Sequence, residues 1–377
     1  MLFSTSFVNN IYSQNEFKPS KTQFMIRGYG HSGLDYTKSG TEEESSYVGT
    51  VFAPIFLFKL SDRLMFEAEL EFELEGGETK VGYEYADVMY ILNDYMTVRA
   101  GKFLLPFGTF MERLHPAWIN KLGSRPLGFG HDGIAPSSGV GIELRGAFQV
   151  GYSKFNYAVY STNGPTINNG LGDHPDEAGM LGFENFEDNN NSKAYGGRLG
   201  FLPFNNSALE IGGSFYSGIA GNKDDSLYSD VGSLLLAADL SYVKQIPQIK
   251  GIIDVKAQYT NSNVDKATYV ATDGDTIAFE NTSNGFYAQL AYRPSMVGNK
   301  YLKNIELVGR YSVLNTPEGA EWESEQTQMA FGLNYWLSWR SVLKLTYQTT
   351  EVSGGHGAPA GSKNEITGFF AHWGLGF

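Results

Sequence analysis

The stretch GFFAHWGLGF, residues 368–377, ends the chain and decides the fold. Phe369, Ala371, Trp373, Leu375 and Phe377 fall on one face of an extended segment, and Gly368, His372, Gly374 and Gly376 fall on the other. Strand side chains alternate sides, so this period of two predicts a strand with one apolar face and one small or polar face. Earlier segments keep the rhythm. Leu343, Leu345 and Tyr347 oppose Lys344, Thr346 and Gln348, and Met329, Phe331, Leu333 and Tyr335 oppose Gln328, Ala330, Gly332 and Asn334. Ile305, Leu307 and Tyr311 oppose Glu306 and Arg310, and Ile253, Val255, Ala257 and Tyr259 oppose Asp254, Lys256 and Gln258. A soluble sandwich also alternates, but its outward face is charged and its strands are shorter. Apolar-out, polar-in alternation over strands of about ten residues is the pattern of a transmembrane barrel.

Composition agrees. The 377 residues include 45 Gly, 23 Tyr and 26 Phe but only 18% charged residues, with no Cys and a net charge of −13. The absence of Cys excludes a disulfide framework, a Cys-based metal site and a lipoprotein anchor. The acidic balance argues against nucleic acid as a partner. The longest apolar run is Val51 to Phe58, well below the roughly 18 to 20 residues of a spanning helix.

Connections between strands form two classes. Short ones fall at 60–63, 92–95, 150–152, 203–207, 246–248, 294–303 and 337–340. Long polar ones fall near 34–46, 75–80, 104–137, 163–191, 218–230, 262–282, 315–324 and 353–364. Short and long alternate, which predicts an all-β, antiparallel, up-and-down barrel of about sixteen strands with short periplasmic turns and long extracellular loops. An even count places both termini on the periplasmic side. The single barrel is expected over 21–377. Residues 1–20 read as the back half of a secretory signal peptide whose basic leading part is missing, or as a disordered tail. The predicted long loops hold most of the acidic excess, so the net charge describes the cell-exterior face more than the lumen.

The segment Thr97 to Gly108 (TVRAGKFLLPFG), continued by Thr109-Phe110-Met111-Glu112, resembles the strand-to-loop signature of the phosphate-selective porins (O and P). That resemblance implies a trimeric, sixteen-stranded, water-filled channel of the Gram-negative outer membrane. It carries over to Glu112 as the motif's acidic residue. The expected function is passive diffusion of small hydrophilic solutes or ions, with no enzymatic step, cofactor or metal. Expected partners are outer-membrane lipid, lipopolysaccharide and the barrel-assembly machinery. The last reads a terminal signal that Phe369, Trp373, Leu375 and Phe377 resemble, although any lipid-facing last strand would carry the same residues. Val51 to Phe58, apolar on both faces, points to contact with another subunit of a homotrimer or with an inserted loop.

Loop 104–137 is too apolar to be well solvated outside. It carries Phe103, Leu104, Leu105, Phe107, Phe110, Leu114, Trp118, Ile119 and Leu122 on or beside it, so it is expected to enter and constrict the barrel. An extracellular lid or a trimer contact is the alternative. Its charged residues Glu112, Arg113, Lys121 and Arg125 are the candidate constriction. Lumen positions include an acidic ladder of Glu67, Glu69, Glu71 and Glu73, joined by Asp87. Basic lumen positions are Arg99, Arg145, Lys154, Arg198, Lys256, Arg293, Arg310 and Lys344. The ladder either attracts cations or receives Arg113, Lys121 and Arg125 as docking partners. So acidic a wall departs from a phosphate channel, which needs converging Arg and Lys.

Two rival classes remain at this stage. An outer-membrane hydrolase would need a Ser/His or Asp/His pair, and His131-Asp132 with Ser137-Ser138 is the nearest candidate. No histidine forms an H-x-x-x-H or H-E-x-x-H pattern. A docking component of an envelope complex would use its loops. Within 163–191, Asp173, Asp176, Glu177, Glu184, Glu187 and Asp188 have no Lys or Arg among them. They could bind divalent ions or form a solvated acidic surface.

Overall fold

The structure is a computed structural model describing residues 22–75, 78–131, 133–172, 174–183, 186–225, 227–354 and 362–377. The expected leader or tail at 1–20 lies outside the described residues. In chain order the strands are β1 (Gln23–Ser39), β2 (Glu42–Lys59), β3 (Leu64–Glu75), β4 (Glu78–Asn93), β5 (Met96–Leu104), β6 (Ser138–Val150) and β7 (Ser153–Asn163). A ribbon of β8 (Thr166–Ile167) and β9 (Leu181–Gly182) precedes β10 (Lys193–Leu202), β11 (Leu209–Ile219), β12 (Gly232–Ile246) and β13 (Gly251–Val264). A second ribbon, β14 (Thr268–Val270) and β15 (Thr276–Ala278), leads to β16 (Asn281–Arg293), β17 (Ile305–Asn315), β18 (Ser324–Ser338), β19 (Ser341–Gly354) and β20 (Lys363–Gly376).

Outside the two ribbons, sixteen strands form one closed antiparallel barrel in which β20 pairs back onto β1. Closure joins the first strand to the last, so the wall has no strand left with a whole edge of unpaired backbone N–H and C=O groups. The seam is finished by Phe377, whose N–H donates to Gly28 O at 2.9 Å and whose carbonyl accepts from Gly28 N at 3.2 Å.

Alternation appears directly in burial. On β18, Gln328, Ala330, Gly332 and Asn334 are buried while Met329, Phe331 and Leu333 are exposed. On β20, Phe369, Trp373 and Leu375 face outward with Phe377, and Phe370, His372, Gly374 and Gly376 face the lumen. Exposed Leu, Phe, Tyr and Trp recur on the outer side around the wall. A water-soluble monomer rarely exposes so extended an apolar surface.

Two loops expected from sequence differ. Residues 34–46 were expected to form a long connection, but β1 and β2 run on to a turn at Gly40 and Thr41, with Lys38 paired to Glu43 across it. Within the expected connection 75–80, β3 likewise runs on to Glu75 and β4 begins at Glu78. Polar residues end the apolar belt without ending the strand, because an antiparallel ribbon continues to hydrogen-bond above the membrane level.

Burying a charge in the outer belt should unfold the barrel more readily. Phe331→Arg is expected to cost about 2–4 kcal/mol if the residue lies near mid-bilayer, read by urea titration of vesicle-folded protein.

Candidate functional site

The interior is organised by residues 105–137. Leu105 N–H donates to Ser137 O at 3.0 Å, so the segment leaves and re-enters the wall at one point. Between them it holds one short helical turn, Phe110–Leu114. Phe107, Phe110, Met111 and Leu122 are buried. Trp118 packs beside Tyr29, Val51 and Ala53, so the inner face of the apolar Val51 to Phe58 run meets the inserted loop. Trp118 also rests on the lumenal glycines of β20, where a Cβ on Gly376 would lie 2.9 Å from its ring. Leu122 uses the space at Gly332, where a Cβ would approach its Cδ2 to 2.6 Å. Gly108 has φ +64°, and a Cβ there would meet the Gln258 amide at 2.0 Å. Only glycine suits both constraints.

Polar wall side chains then satisfy the loop backbone. Lys344 Nζ donates to the carbonyls of Ala117 (2.8 Å), Asn120 (3.2 Å) and Leu122 (3.1 Å). Arg310 donates to Ser124 O (2.9 Å), Ser124 Oγ (2.8 Å) and Arg125 O (2.8 Å). Asn334 donates to Lys121 O at 2.8 Å. Gln258 Oε1 accepts from Thr109 N and Phe110 N, Ser214 Oγ from Gly108 N, and Thr346 Oγ1 from Gly123 N. These anchors lie on β11, β13, β17, β18 and β19, across the barrel from the loop's own strands.

The charged residues form a chain of ion pairs. Arg99 meets Asp87 at 2.7 Å and Glu67 at 3.2 Å, with Glu143 at 3.9 Å. Arg145 bridges Glu143 and Glu112. Arg113 reaches Glu210 at 3.0 Å, and Arg198 joins Glu210 at 3.0 Å to Asp239 at 2.6 Å. Burial opposes ionisation of Glu112, but Arg145 and Arg113 beside it hold its carboxyl below the usual range. The loop borders several cavities, and two of them hold the ion-pair chain and the ladder residues. One of about 780 Å³, toward the short turns, is bordered by Glu67, Arg99, Glu112, Arg113, Arg145 and Arg198. The other, about 620 Å³, is bordered by Glu71, Glu73, Glu84, Arg125 and His131 among others.

The expected site residues therefore separate. The acidic ladder is not one stripe: Glu67 pairs with Arg99, and Glu69 is buried and accepts from Tyr29 Oη at 2.8 Å. Glu71 and Glu73 line the second cavity. Arg113 and Lys121 do not dock on the ladder. Arg113 pairs with Glu210 and Lys121 with Glu306 and Asp254, while Arg125 is exposed toward the second cavity. The reason is direction, since the loop crosses toward the far wall before its cations occur. The basic positions do not form one strip either. Arg310 and Lys344 are consumed by loop carbonyls, Lys256 pairs with Asp254, and Lys154 bonds Ser207 Oγ at 2.9 Å. Arg293 donates to Lys303 O and lies over the Trp336 ring.

Sequence reasoning missed Glu84 and His115. A register shift in the β3–β4 pairing, where Glu69 opposes Tyr85 but Leu70 opposes Tyr83, leaves Glu84 as an extra residue, and it is buried. Such a bulge re-aims a side chain and has no signature in a period-two pattern. His115 Nε2 lies 3.7 Å and His131 Nε2 3.3 Å from Glu84 Oε1. Burial pushes the His115 imidazole down to about 4. The hydrolase pair is not assembled: the Ser137 and Ser138 hydroxyls are buried without hydrogen-bond partners. Asp132, Asp173, Glu184 and His356 lie outside the described residues.

No protein-family model and no curated protein matches this sequence. The fold is similar to solved structures. An anion-selective porin from Comamonas acidovorans aligns at TM-score 0.59 and 14% identity, covering 95% of this chain and 100% of that one. The outer membrane channel DcaP of Acinetobacter baumannii aligns at 0.58 and 10%, covering 94% and 97%. OprB of Pseudomonas putida aligns at 0.59 and 9%, covering 94% of each. These likenesses show a shared porin-type barrel.

Removing the Lys344 ammonium should release the loop rather than the barrel. Lys344→Met is expected to cost the loop about 3 kcal/mol of anchoring. Hydrogen exchange should then accelerate at the Ile119, Asn120 and Gly123 amides, with β18 and β19 still protected.

Proposed function

We propose that the chain is a passive diffusion channel of a bacterial outer membrane, admitting small hydrophilic solutes or ions. One observation carries this reading. An inserted loop is bonded to the far wall of a closed barrel whose outer face is apolar and whose interior is charged. Water and solute are the natural occupants of the remaining lumen space, because its borders keep ionised side chains that an apolar filling would strand.

Selection is proposed to come from the loop and the two cavities. Toward the short turns, Arg113 and Arg145 are the more exposed members of their pairs, with side chains 38% and 32% accessible against 13% for Glu112 and Glu210. Toward the long loops, Glu71 and Glu73 are accessible, with Arg125 among them. A solute thus meets carboxylates on one side of the constriction and guanidinium groups on the other. The likeness to the phosphate-selective group rests on β5 and the entry of the loop, which includes Arg99, Gly108 and Glu112. The ion-paired state of Arg99 and Arg198 leaves little free positive charge for a dedicated phosphate site.

A homotrimer is the proposed assembly. The outer faces of β1–β3 carry an aromatic cluster, with Phe24 beside Phe58 at 4.7 Å and Phe52 beside Phe377 at 5.8 Å between ring centroids. A structural relative, OmpT of Vibrio cholerae, is described in a trimer form and aligns at TM-score 0.52 and 11% identity.

Reversal potentials in planar bilayers under a salt gradient test the channel and its charge logic together. Arg113→Gln should move the preference toward cations and Glu73→Gln toward anions. Absence of conductance would refute the channel. Unchanged potentials in both variants would refute selection by these charges.

A further inference from the structure

Beyond the pore itself, the geometry points to a divalent transition-metal site in the lumen, made by Glu71 of β3, Glu84 of β4, and His115 and His131 of the inserted loop. Zinc is the metal class that two imidazoles and two carboxylates suit best. Donor atoms of Glu71, Glu84 and His131 lie within 4.8 Å of one another. His115 adds a fourth donor, its Nε2 3.7 Å from Glu84 Oε1 and its ring 6.3 Å from that of His131. All four border the same cavity.

The state of His115 is the second, independent observation. Its Nδ1 sits against Met111 O. A carbonyl can only accept, so Nδ1 carries the proton and donates. In that tautomer Nε2 is a bare lone pair. It is buried, has no hydrogen-bond partner, and is aimed at a carboxylate oxygen 3.7 Å away. Two electron-pair donors facing one another repel unless a proton or a metal cation lies between them, and 3.7 Å is long for a shared proton. Among the described residues no Lys or Arg makes an ion pair with Glu71, although Arg125 and Lys102 border the cavity. Lys102 is instead turned to Tyr83 O and the Phe186 ring.

The spacing fits. Donors around a tetrahedral zinc at 2.0–2.2 Å stand about 3.3–3.6 Å apart. The His131–Glu84 separation of 3.3 Å lies in that range, the His115–Glu84 separation of 3.7 Å is just above it, and the Glu71 donor stands within 4.8 Å of the donors of Glu84 and His131. Two ionised carboxylates and two neutral imidazoles would balance the dication. The metal would also add what the other anchors omit. Those anchors tie the loop to the far wall, whereas this site staples it to the bulge between β3 and β4.

The experiment uses the purified full chain in detergent, stripped with chelator and titrated with Zn²⁺ by calorimetry. One Zn²⁺ per chain is expected at micromolar affinity or tighter. Glu84→Gln and His131→Ala should each weaken it at least tenfold, and His115→Ala should weaken it as well. Zn²⁺ should slow hydrogen exchange at the Gly133 and Ile134 amides in the parent protein but not in His131→Ala. Heat-modifiable gel mobility reports whether each variant still forms the barrel. No saturable binding, or binding that survives both Glu84→Gln and His131→Ala in folded protein, overturns the proposal and leaves a His131–Glu84 ion pair.

Discussion

The structure depends on one constraint: an irregular peptide segment inside a barrel must have its backbone polar groups satisfied without water on every side. An unpaired buried carbonyl or amide costs about 1–3 kcal/mol. Residues 105–137 contain little regular structure that could pair their own backbone. The far wall supplies the partners. Lys344 and Arg310 each serve three loop oxygens, and Gln258, Ser214, Thr346 and Asn334 serve others. A cation with several donors suits this task better than a neutral group, because its hydrogen bonds are stronger and it can meet carbonyls converging from several directions. The basic residues most easily taken for permeation charges are therefore structural, and their charge faces the loop.

The same constraint explains the inner face of the barrel. A wall that must receive Trp118 and Leu122 needs depressions, and Gly374, Gly376 and Gly332 provide them. Ala291 and Ala330 extend the pocket for Leu122. The outer face has no such requirement and carries large apolar side chains at the alternate positions. Glycine opposite tryptophan on β20 thus records two solvents, lipid outside and a packed loop inside. The final ten residues display this in miniature.

How much could be read without coordinates follows from the range of each interaction. Strand number, strand direction and the inward–outward faces were legible because the period-two pattern is local. The entry of 105–137 into the barrel was an expectation from Phe107, Phe110, Trp118 and Leu122, which have no good place in water. Partners were not legible. Which residue of β19 meets which residue of the loop depends on strand tilt and stagger, which closure sets globally. Lys121 finding Glu306, and Arg113 finding Glu210, could not be told from docking on Glu69 and Glu71. Glu84 was hidden for a different reason, because a bulge breaks the alternation that the reading relies on. The ribbon at 34–46 misled because polar composition marks exit from lipid, and the strand persists past that level.

The ion-pair chain from Asp87 through Arg99, Glu143, Arg145, Glu112, Arg113 and Glu210 to Arg198 and Asp239 ties these points to the pore. Its ends, Asp87 and Asp239, are buried, and its middle is the part most open to the cavity. Buried pairs of this kind are poor sources of stability, since desolvation offsets most of the attraction. Their value lies in fixing where charge sits. Glu112 and Arg113 ride on the loop, so they hold position only while wall residues clamp both neighbours. Electrostatics at the constriction and anchoring of the loop are consequently one property: loosening the backbone contacts at Lys344 or Arg310 would also blur the field that a passing ion encounters.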